Sequence, residues 1–385
     1  MKRISLIAIM ALMGIGSVAA KSSTTLPIVG EVVKATNPLI QYVGRVSFAK
    51  NETASFNFPG TSILARFQGS SLKMICRPMT GYFMAQVDGC EPFKVGFNAE
   101  RDSVVTVAAA LPKGEHQVKL MYVIEGLFRT PEFRGFVLDK GCSLVKSPDL
   151  PERKIEFIGN SITCGYGVES IEMTDPFEDE TENHWLTYAN IVSDSLNAQH
   201  TSISRSGIGV YRNYDGPKAG SAENMPWQYE YTLFNKHDEK WDFNKYQPQL
   251  VCINLGTNDL STNNYDIALY EKNYRMFLTT VRSKYPNAKI VLITGPMLGE
   301  KESGEQREVL DRICSDANKK GFTLPDEVRK ARKGKNKGDK DIYRFDFTFQ
   351  TGDLGYGASW HPSKLQHQKM ADELLPFLRN LMGWE

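Results

Sequence analysis

Two different patterns of apolar and polar positions divide the chain. From about Val33 to Val145 the apolar residues come in short alternating runs broken by Gly, Pro and Asn. Ser55-Phe56-Asn57-Phe58 stops at Pro59-Gly60, the run from Ser62 to Phe67 stops before Gly69, and Phe83 to Val87 stops at Asp88-Gly89. His116 to Val123 and Phe133 to Leu138 continue the series. A period of two between closely spaced turn residues predicts strands, and many such strands with no helical period predict an all-β sandwich of the jelly-roll kind. Ser147-Pro148-Asp149-Leu150-Pro151 reads as a linker.

Beyond Pro151 the pattern changes to strands alternating with helices. Ile155, Phe157 and Ile158, interleaved with charge, predict a buried or half-buried strand that ends in Gly159-Asn160-Ser161. A helix is expected around His184 to Asn197, then strands at His200 to Ser204 and Leu250 to Leu255. From about Tyr265 to Lys284, Tyr270, Tyr274, Phe277, Leu278 and Val281 recur at helical spacing. Ile290 to Ile293 and Ile342 to Phe347 read as the remaining strands. A terminal helix presents Met370, Leu374, Leu378 and Leu381, and Pro376 is expected to kink or break it. This βαβ alternation predicts a mostly parallel three-layer α/β domain. The expected division is therefore a sandwich over 21–148 and an α/β domain over 152–385.

With 385 residues there is room for two domains. A net charge of +1 provides no global field for nucleic acid or an anionic membrane, so neither is an expected partner. Residues 1–20 have the form of a secretory signal peptide: Lys2 and Arg3, an apolar run from Ile4 to Ile15, and small residues through Ala20. Cleavage after Ala20 implies a secreted or periplasmic protein, and Lys21 in place of Cys argues against a lipoprotein anchor. Six cysteines allow fifteen full pairings, among which the sequence does not choose. Cys252 reads as a buried thiol and Cys164 as a packed one. No Cys-x-x-Cys or His-x-x-x-His spacing occurs, so no metal is expected. Arg329, Lys330, Arg332, Lys333, Lys335, Lys337 and Lys340 form a basic stretch without aromatic residues, which reads as a solvated loop.

Chemistry gathers at the predicted strand ends, where open α/β sheets bind ligands. Ser161 lies at the end of one strand and the start of a helix; alone it reads as a helix cap, and only the blocks downstream lift it to a candidate nucleophile. Ser206-Gly207-Ile208-Gly209 follows the second strand, and Gly256-Thr257-Asn258-Asp259 follows the third. Trp360-His361-Pro362-Ser363 precedes the last helix, whose first turn suits Pro362 and leaves His361 in the preceding loop.

In this order the blocks resemble the SGNH hydrolase superfamily, with its flavodoxin-like fold: Gly-Asn-Ser at 159–161, Gly207 or Gly209, Gly-Thr-Asn-Asp at 256–259 and His-Pro at 361–362. With Val43-Gly44-Arg45 and Val210-Tyr211-Arg212-Asn213, nearly the whole chain is similar to carbohydrate esterase family 2, in which a β-sandwich precedes the SGNH domain. The resemblance implies a serine carbohydrate esterase, acetyl xylan esterase-like, that hydrolyses O-acetyl esters of xylan- or glucomannan-type polysaccharides or oligosaccharides without metal or cofactor. Ser161 would be the nucleophile and His361 its base, while the Ser161 and Gly207 N–H groups and the Asn258 amide would hold the oxyanion. Trp360, Tyr211, Tyr214 and Trp227 are the expected aromatic surface for sugar. One departure stands out. The Asp usual three residues before the histidine is Ala358 here, with Ser359 next, so a backbone carbonyl or a remote carboxylate must orient the imidazole. Two other readings remain open at this point, a lipid or other acyl esterase of the SGNH type and a catalytically silent carbohydrate-binding protein.

Overall fold

The computed structural model describes residues 28–385 except 51, 101–102, 263 and 321–338. The expected signal peptide and all of the basic stretch but Lys340 lie outside the described residues. Eight principal strands build the first domain: β1 (Glu31–Lys34), β2 (Ser62–Gly69), β3 (Leu72–Cys76), β4 (Gly81–Val87), β5 (Phe93–Phe97), β6 (Val104–Ala108), β7 (Gly114–Tyr122) and β8 (Glu132–Leu138). They form two antiparallel sheets, β1-β8-β3-β6 and β2-β7-β4-β5. Alternation explains the packing: in β2, Ile63, Ala65 and Phe67 are fully buried, while Leu64 and Arg66 between them are half-exposed. Phe83 sits at the centre of the core, edge-on to Phe56, Phe97 and Tyr122 at centroid distances of 5.3–6.2 Å.

The second domain contains five parallel strands, β9 (Arg153–Gly159), β10 (Ala198–Ser204), β11 (Leu250–Asn254), β12 (Lys289–Thr294) and β13 (Ile342–Asp346). Their order is β10-β9-β11-β12-β13, the flavodoxin order with its switch point between the first and third strands. Six helices matter to the layers and the site: α1 (Ser161–Cys164), α2 (Tyr188–Ser195), α3 (Thr257–Leu260), α4 (Ile267–Lys284), α5 (Glu300–Lys320) and α6 (Lys364–Met382). One face of the sheet packs Val251, Ile253, Ile290 and Leu292 against α4 and α5; the other packs Phe157, Cys252, Val291 and Ile293 against α2 and α6. The central strands are buried on both faces, as parallel sheets require.

Several expectations need correction. Pro376 neither breaks nor ends the last helix, which continues from Lys364 to Met382. Packing of Met370, Leu374 and Leu378 on both sides of the proline holds the helix together. Helix α5 was not expected, because its narrow apolar stripe of Val309, Leu310, Ile313 and Ala317 is hidden among charged residues. The charge in β9 does not mark an exposed face. Glu156 is 1% exposed and accepts hydrogen bonds from the hydroxyls of Tyr229 and Tyr285, both at 2.7 Å. Burial pushes its carboxyl up, and the charge of Arg45 opposes the shift. All six cysteines are unpaired, with Cys164 and Cys252 buried as expected.

Arg45 joins the domains. It comes from the sandwich, is 1% exposed, and donates to the carbonyls of Tyr229 and Tyr231 in the α/β domain. Its guanidinium lies 5.1–5.7 Å from the ring centroids of Phe58, Tyr229, Trp241 and Phe243. Removing one partner of a buried charge system typically costs about 3 kcal/mol or more. Arg45→Ala is therefore expected to lower stability by about 3 kcal/mol in denaturant unfolding, and an unchanged midpoint would contradict this account of the seam.

Candidate active site

Each block lies where the sheet delivers it. Gly159 ends β9, and a Cβ there would meet Thr163 Oγ1 at 2.1 Å, so only glycine allows α1 to fold back this tightly. Asn160 caps that helix by accepting the Ile162 N–H at 3.1 Å, which places Ser161 at its first position. Across the switch point, Gly256 adopts φ +129° and leads into α3, which carries Asn258. Asp259, next on α3, is wholly buried and accepts the N–H groups of Val210, Tyr211 and Arg212 at 2.8–3.1 Å. One carboxylate therefore ties the loop after β10 to the helix after β11.

His361 Nε2 lies 2.8 Å from Ser161 Oγ. On its other side, Nδ1 lies 3.0 Å from the Ala358 carbonyl and 3.2 Å from that of Ser359. Carbonyls only accept, so they select the tautomer with hydrogen on Nδ1 and leave the Nε2 lone pair facing the serine hydroxyl. Two consecutive residues with positive φ, Ser359 at 50° and Trp360 at 59°, bend the loop that brings the carbonyls round. Ala358 is fully buried, and its Cβ lies 2.3 Å from where a Cβ on Gly167 would be.

Sequence reasoning missed one support of the imidazole. Tyr166 stacks on His361 with centroids 4.1 Å apart at 27°, and Phe177 stacks on the far face of the pair, 4.5 Å from Tyr166. The only signal was an aromatic between two glycines, Gly165-Tyr166-Gly167, directly after the turn that bears Ser161.

Ser161, His361, Gly207 and Asn258 line one open cleft of about 640 Å³, together with Tyr166, Tyr214, Met297, Leu298 and Trp360. Asn258 Nδ2 donates one hydrogen to Ile208 O at 2.8 Å, which fixes the amide plane. Of the two candidate glycines, Gly207 lines the cleft, whereas Gly209 donates its N–H to Asn213 Oδ1 at 3.2 Å. A smaller cavity of about 230 Å³ lies at the domain seam, but its polar groups are engaged: Ser62 with Gly60 O, Lys119 with Asp194, and His200 with His184. A donor-rich recess around an activated hydroxyl is able to accept a carbonyl carbon and stabilise the charge that develops on its oxygen.

Known proteins share this arrangement of domains. The family described as Carbohydrate esterase 2 N-terminal matches residues 42–148, and the GDSL-like Lipase/Acylhydrolase family matches residues 155–374. A structure described as a family two carbohydrate esterase from Clostridium thermocellum in complex with cellohexaose is 34% identical with a TM-score of 0.79, covering 90% of this chain and 100% of that one. The chain belongs to carbohydrate esterase family 2. Cellulase/esterase CelE of Acetivibrio thermocellus is 34% identical over 352 residues; the match takes in 90% of this chain but only 40% of that protein's length. An acetylxylan esterase / glucomannan deacetylase of Cellvibrio japonicus is 27% identical, covering 91% of each.

Within this family 2 site, two of the four expected sugar-contacting aromatics are displaced. Tyr211 is 2% exposed, belongs to the core against α4, and accepts the Asp266 N–H at 2.8 Å through its hydroxyl. Trp227 is half-exposed but packs edge-on to His237 at 3.6 Å and does not line the cleft. Tyr214 and Trp360 do line it, 61% and 51% exposed.

Desolvation pushes the His361 imidazole down from its ordinary 6.5 to about 4, partly offset by the two carbonyls. A lowered pKa keeps the ring neutral, and so able to take a proton, at every pH above that value. Titration followed by histidine ring NMR, assigned against His361→Gln, is expected to show a midpoint near 4; a midpoint near 6.5 would contradict the desolvation.

Proposed function

We propose that this chain is a serine carbohydrate esterase that removes O-acetyl groups from xylan- or glucomannan-type polysaccharides or their oligosaccharides. The observation that carries the reading is the 2.8 Å contact between Ser161 Oγ and His361 Nε2, inside a cleft shared with Gly207 and Asn258. Ser161 attacks the acetyl carbonyl while His361 takes the hydroxyl proton, then returns it to the departing sugar alkoxide. Water, deprotonated by the same ring, releases acetate from the acyl-serine. Through both steps the Ser161 N–H, the Gly207 N–H and the free Asn258 N–H hold the tetrahedral oxyanion.

The dyad reading, with backbone carbonyls in place of an aspartate, accounts for the family's activity without Asp at position 358. Exposed Trp360 and Tyr214 favour a sugar over a long acyl chain, since the apolar C–H faces of a pyranose stack on aromatic rings. The names of the C. japonicus and C. thermocellum relatives point to the same substrate class. A jelly-roll assignment for the sandwich is supported by its 1-8-3-6 and 2-7-4-5 strand orders. An exported location is consistent with a polysaccharide substrate. Among the described residues no helix is long and apolar enough to cross a membrane.

Ser161→Ala is expected to lower hydrolysis of p-nitrophenyl acetate and release of acetate from acetylated xylan or glucomannan by at least about 10⁴-fold in a folded protein. Normal turnover would eliminate the proposed nucleophile. Asn258→Ala is expected to reduce kcat by about 10²–10³-fold. For Trp360→Ala, the KM for acetylated oligosaccharide should rise while p-nitrophenyl acetate kinetics stay close to wild type.

A further inference from the structure

The sandwich contributes a carboxylate to the back of the catalytic centre. Beyond β7 the chain continues through Val123 and Ile124 to Glu125, which is 4% exposed. Glu125 Oε2 accepts the Ser206 N–H at 2.6 Å, one residue before Gly207. The same oxygen lies 3.9 Å from Cys164 Sγ, at the end of the short helix that begins with Ser161. The Glu125 N–H in turn donates to Glu182 Oε2 at 3.0 Å, and Glu182 closes the loop that carries Tyr166 and Phe177. Val123 O accepts the His184 N–H at 2.9 Å and strengthens the same junction. Three segments of the catalytic domain therefore meet one residue from the other domain, two at its carboxylate and one at its backbone N–H.

The group is not a convincing cation site, although Glu125, Cys164 and Glu182 place ligand-type atoms within 4.8 Å of one another. The Oε2 atoms of both glutamates already accept backbone N–H groups, whose partial positive charge opposes a metal ion. Burial pushes both carboxyls up, and Glu182 is raised further by the charge of Glu125. Arg205 and the Ser206 hydrogen bonds pull Glu125 back. The Glu125–Ser206 contact, at 2.6 Å and out of reach of solvent, is a short hydrogen bond to a buried acceptor.

We infer that Glu125 is a positioning residue, which holds the Arg205–Ser206 peptide and so restrains the adjoining Ser206–Gly207 peptide, whose N–H faces the oxyanion. A glycine at φ +72° with open space around its Cβ position has nothing of its own to restrict it. Its carbonyl is tied to the Tyr214 N–H at 2.8 Å, and the Ser206 N–H is the anchor on the opposite side. With that anchor gone the 206–207 peptide loses its restraint on the N-terminal side, where only the 3.4 Å turn bond from the Ile208 N–H to Arg205 O is left, and the Gly207 donor shifts. Misplacing a catalytic group by about 1 Å costs on the order of 10²-fold in rate.

This inference rests on the esterase reading, and the experiment separates the two. Glu125→Met keeps the volume and removes the acceptor, whereas Glu125→Gln keeps an oxygen for the Ser206 N–H. With p-nitrophenyl acetate, Glu125→Met is expected to lower kcat by roughly 10- to 100-fold with KM within about twofold, and Glu125→Gln to restore most of the loss. Wild-type kcat in a folded Glu125→Met protein, or equal losses in both variants, would overturn the positioning role. Should Glu125→Met fail to fold by circular dichroism and thermal melting, Glu125→Asp, which withdraws the carboxylate by one methylene, replaces it. It too is expected to lose kcat, and wild-type kcat there overturns the proposal. Ser161→Ala in the same assay tests the esterase reading alone: its activity would refute that reading, whereas an inactive Ser161→Ala beside an unimpaired Glu125→Met refutes only the role of Glu125.

Discussion

The site depends on holding one imidazole ring in register with a hydroxyl 200 residues earlier in the chain. Nothing covalent or local links the two, so the fold must fix each ring edge and face separately. The Ala358 and Ser359 carbonyls fix the Nδ1 edge, Ser161 meets the Nε2 edge, and Tyr166 covers a face. A carboxylate in the usual position would do the first task with a charge; here backbone dipoles do it, made available by two left-handed residues in succession. That arrangement also requires Gly167, because any side chain there would collide with Ala358.

The parallel sheet provides the second constraint. Strands β9 and β11 are neighbours at the switch point, so the turns that follow them open side by side and bring Ser161 towards Asn258. Asp259 then binds residues 210–212 of the loop after β10 to the helix after β11 that carries Asn258. The family block Val210-Tyr211-Arg212-Asn213 thus has a structural explanation: its backbone N–H groups are what Asp259 holds, and Arg212 returns a bond from Nε to the Asp259 carbonyl at 3.1 Å.

Seen from the seam, the sandwich is part of the catalytic domain's frame. Arg45 is embedded among four aromatic rings with Glu156 beyond, and Glu125 reaches the back of the loop that carries Ser206 and Gly207. Both are polar, ionisable groups buried between domains, where an unmatched partner is costly. Such contacts resist sliding of one domain over the other more than apolar packing of equal area would, because a hydrogen bond is directional.

By itself the sequence determined whatever depends on near neighbours. Periods of two and of helical spacing placed the strands and most helices, and four short blocks named Ser161, Gly207 or Gly209, Asn258 and His361. Helix α5 escaped because its stripe is narrow, and Pro376 misled because a local preference was outweighed by packing along the rest of α6. Only the tertiary structure put Gly207 rather than Gly209 in the wall of the cleft, sent Tyr211 into the core, and found the carbonyls, the Tyr166 stack and Glu125. These are questions of direction and of contact between segments far apart in the chain, and a hydrogen bond over such a distance leaves no periodic trace in the residues that make it.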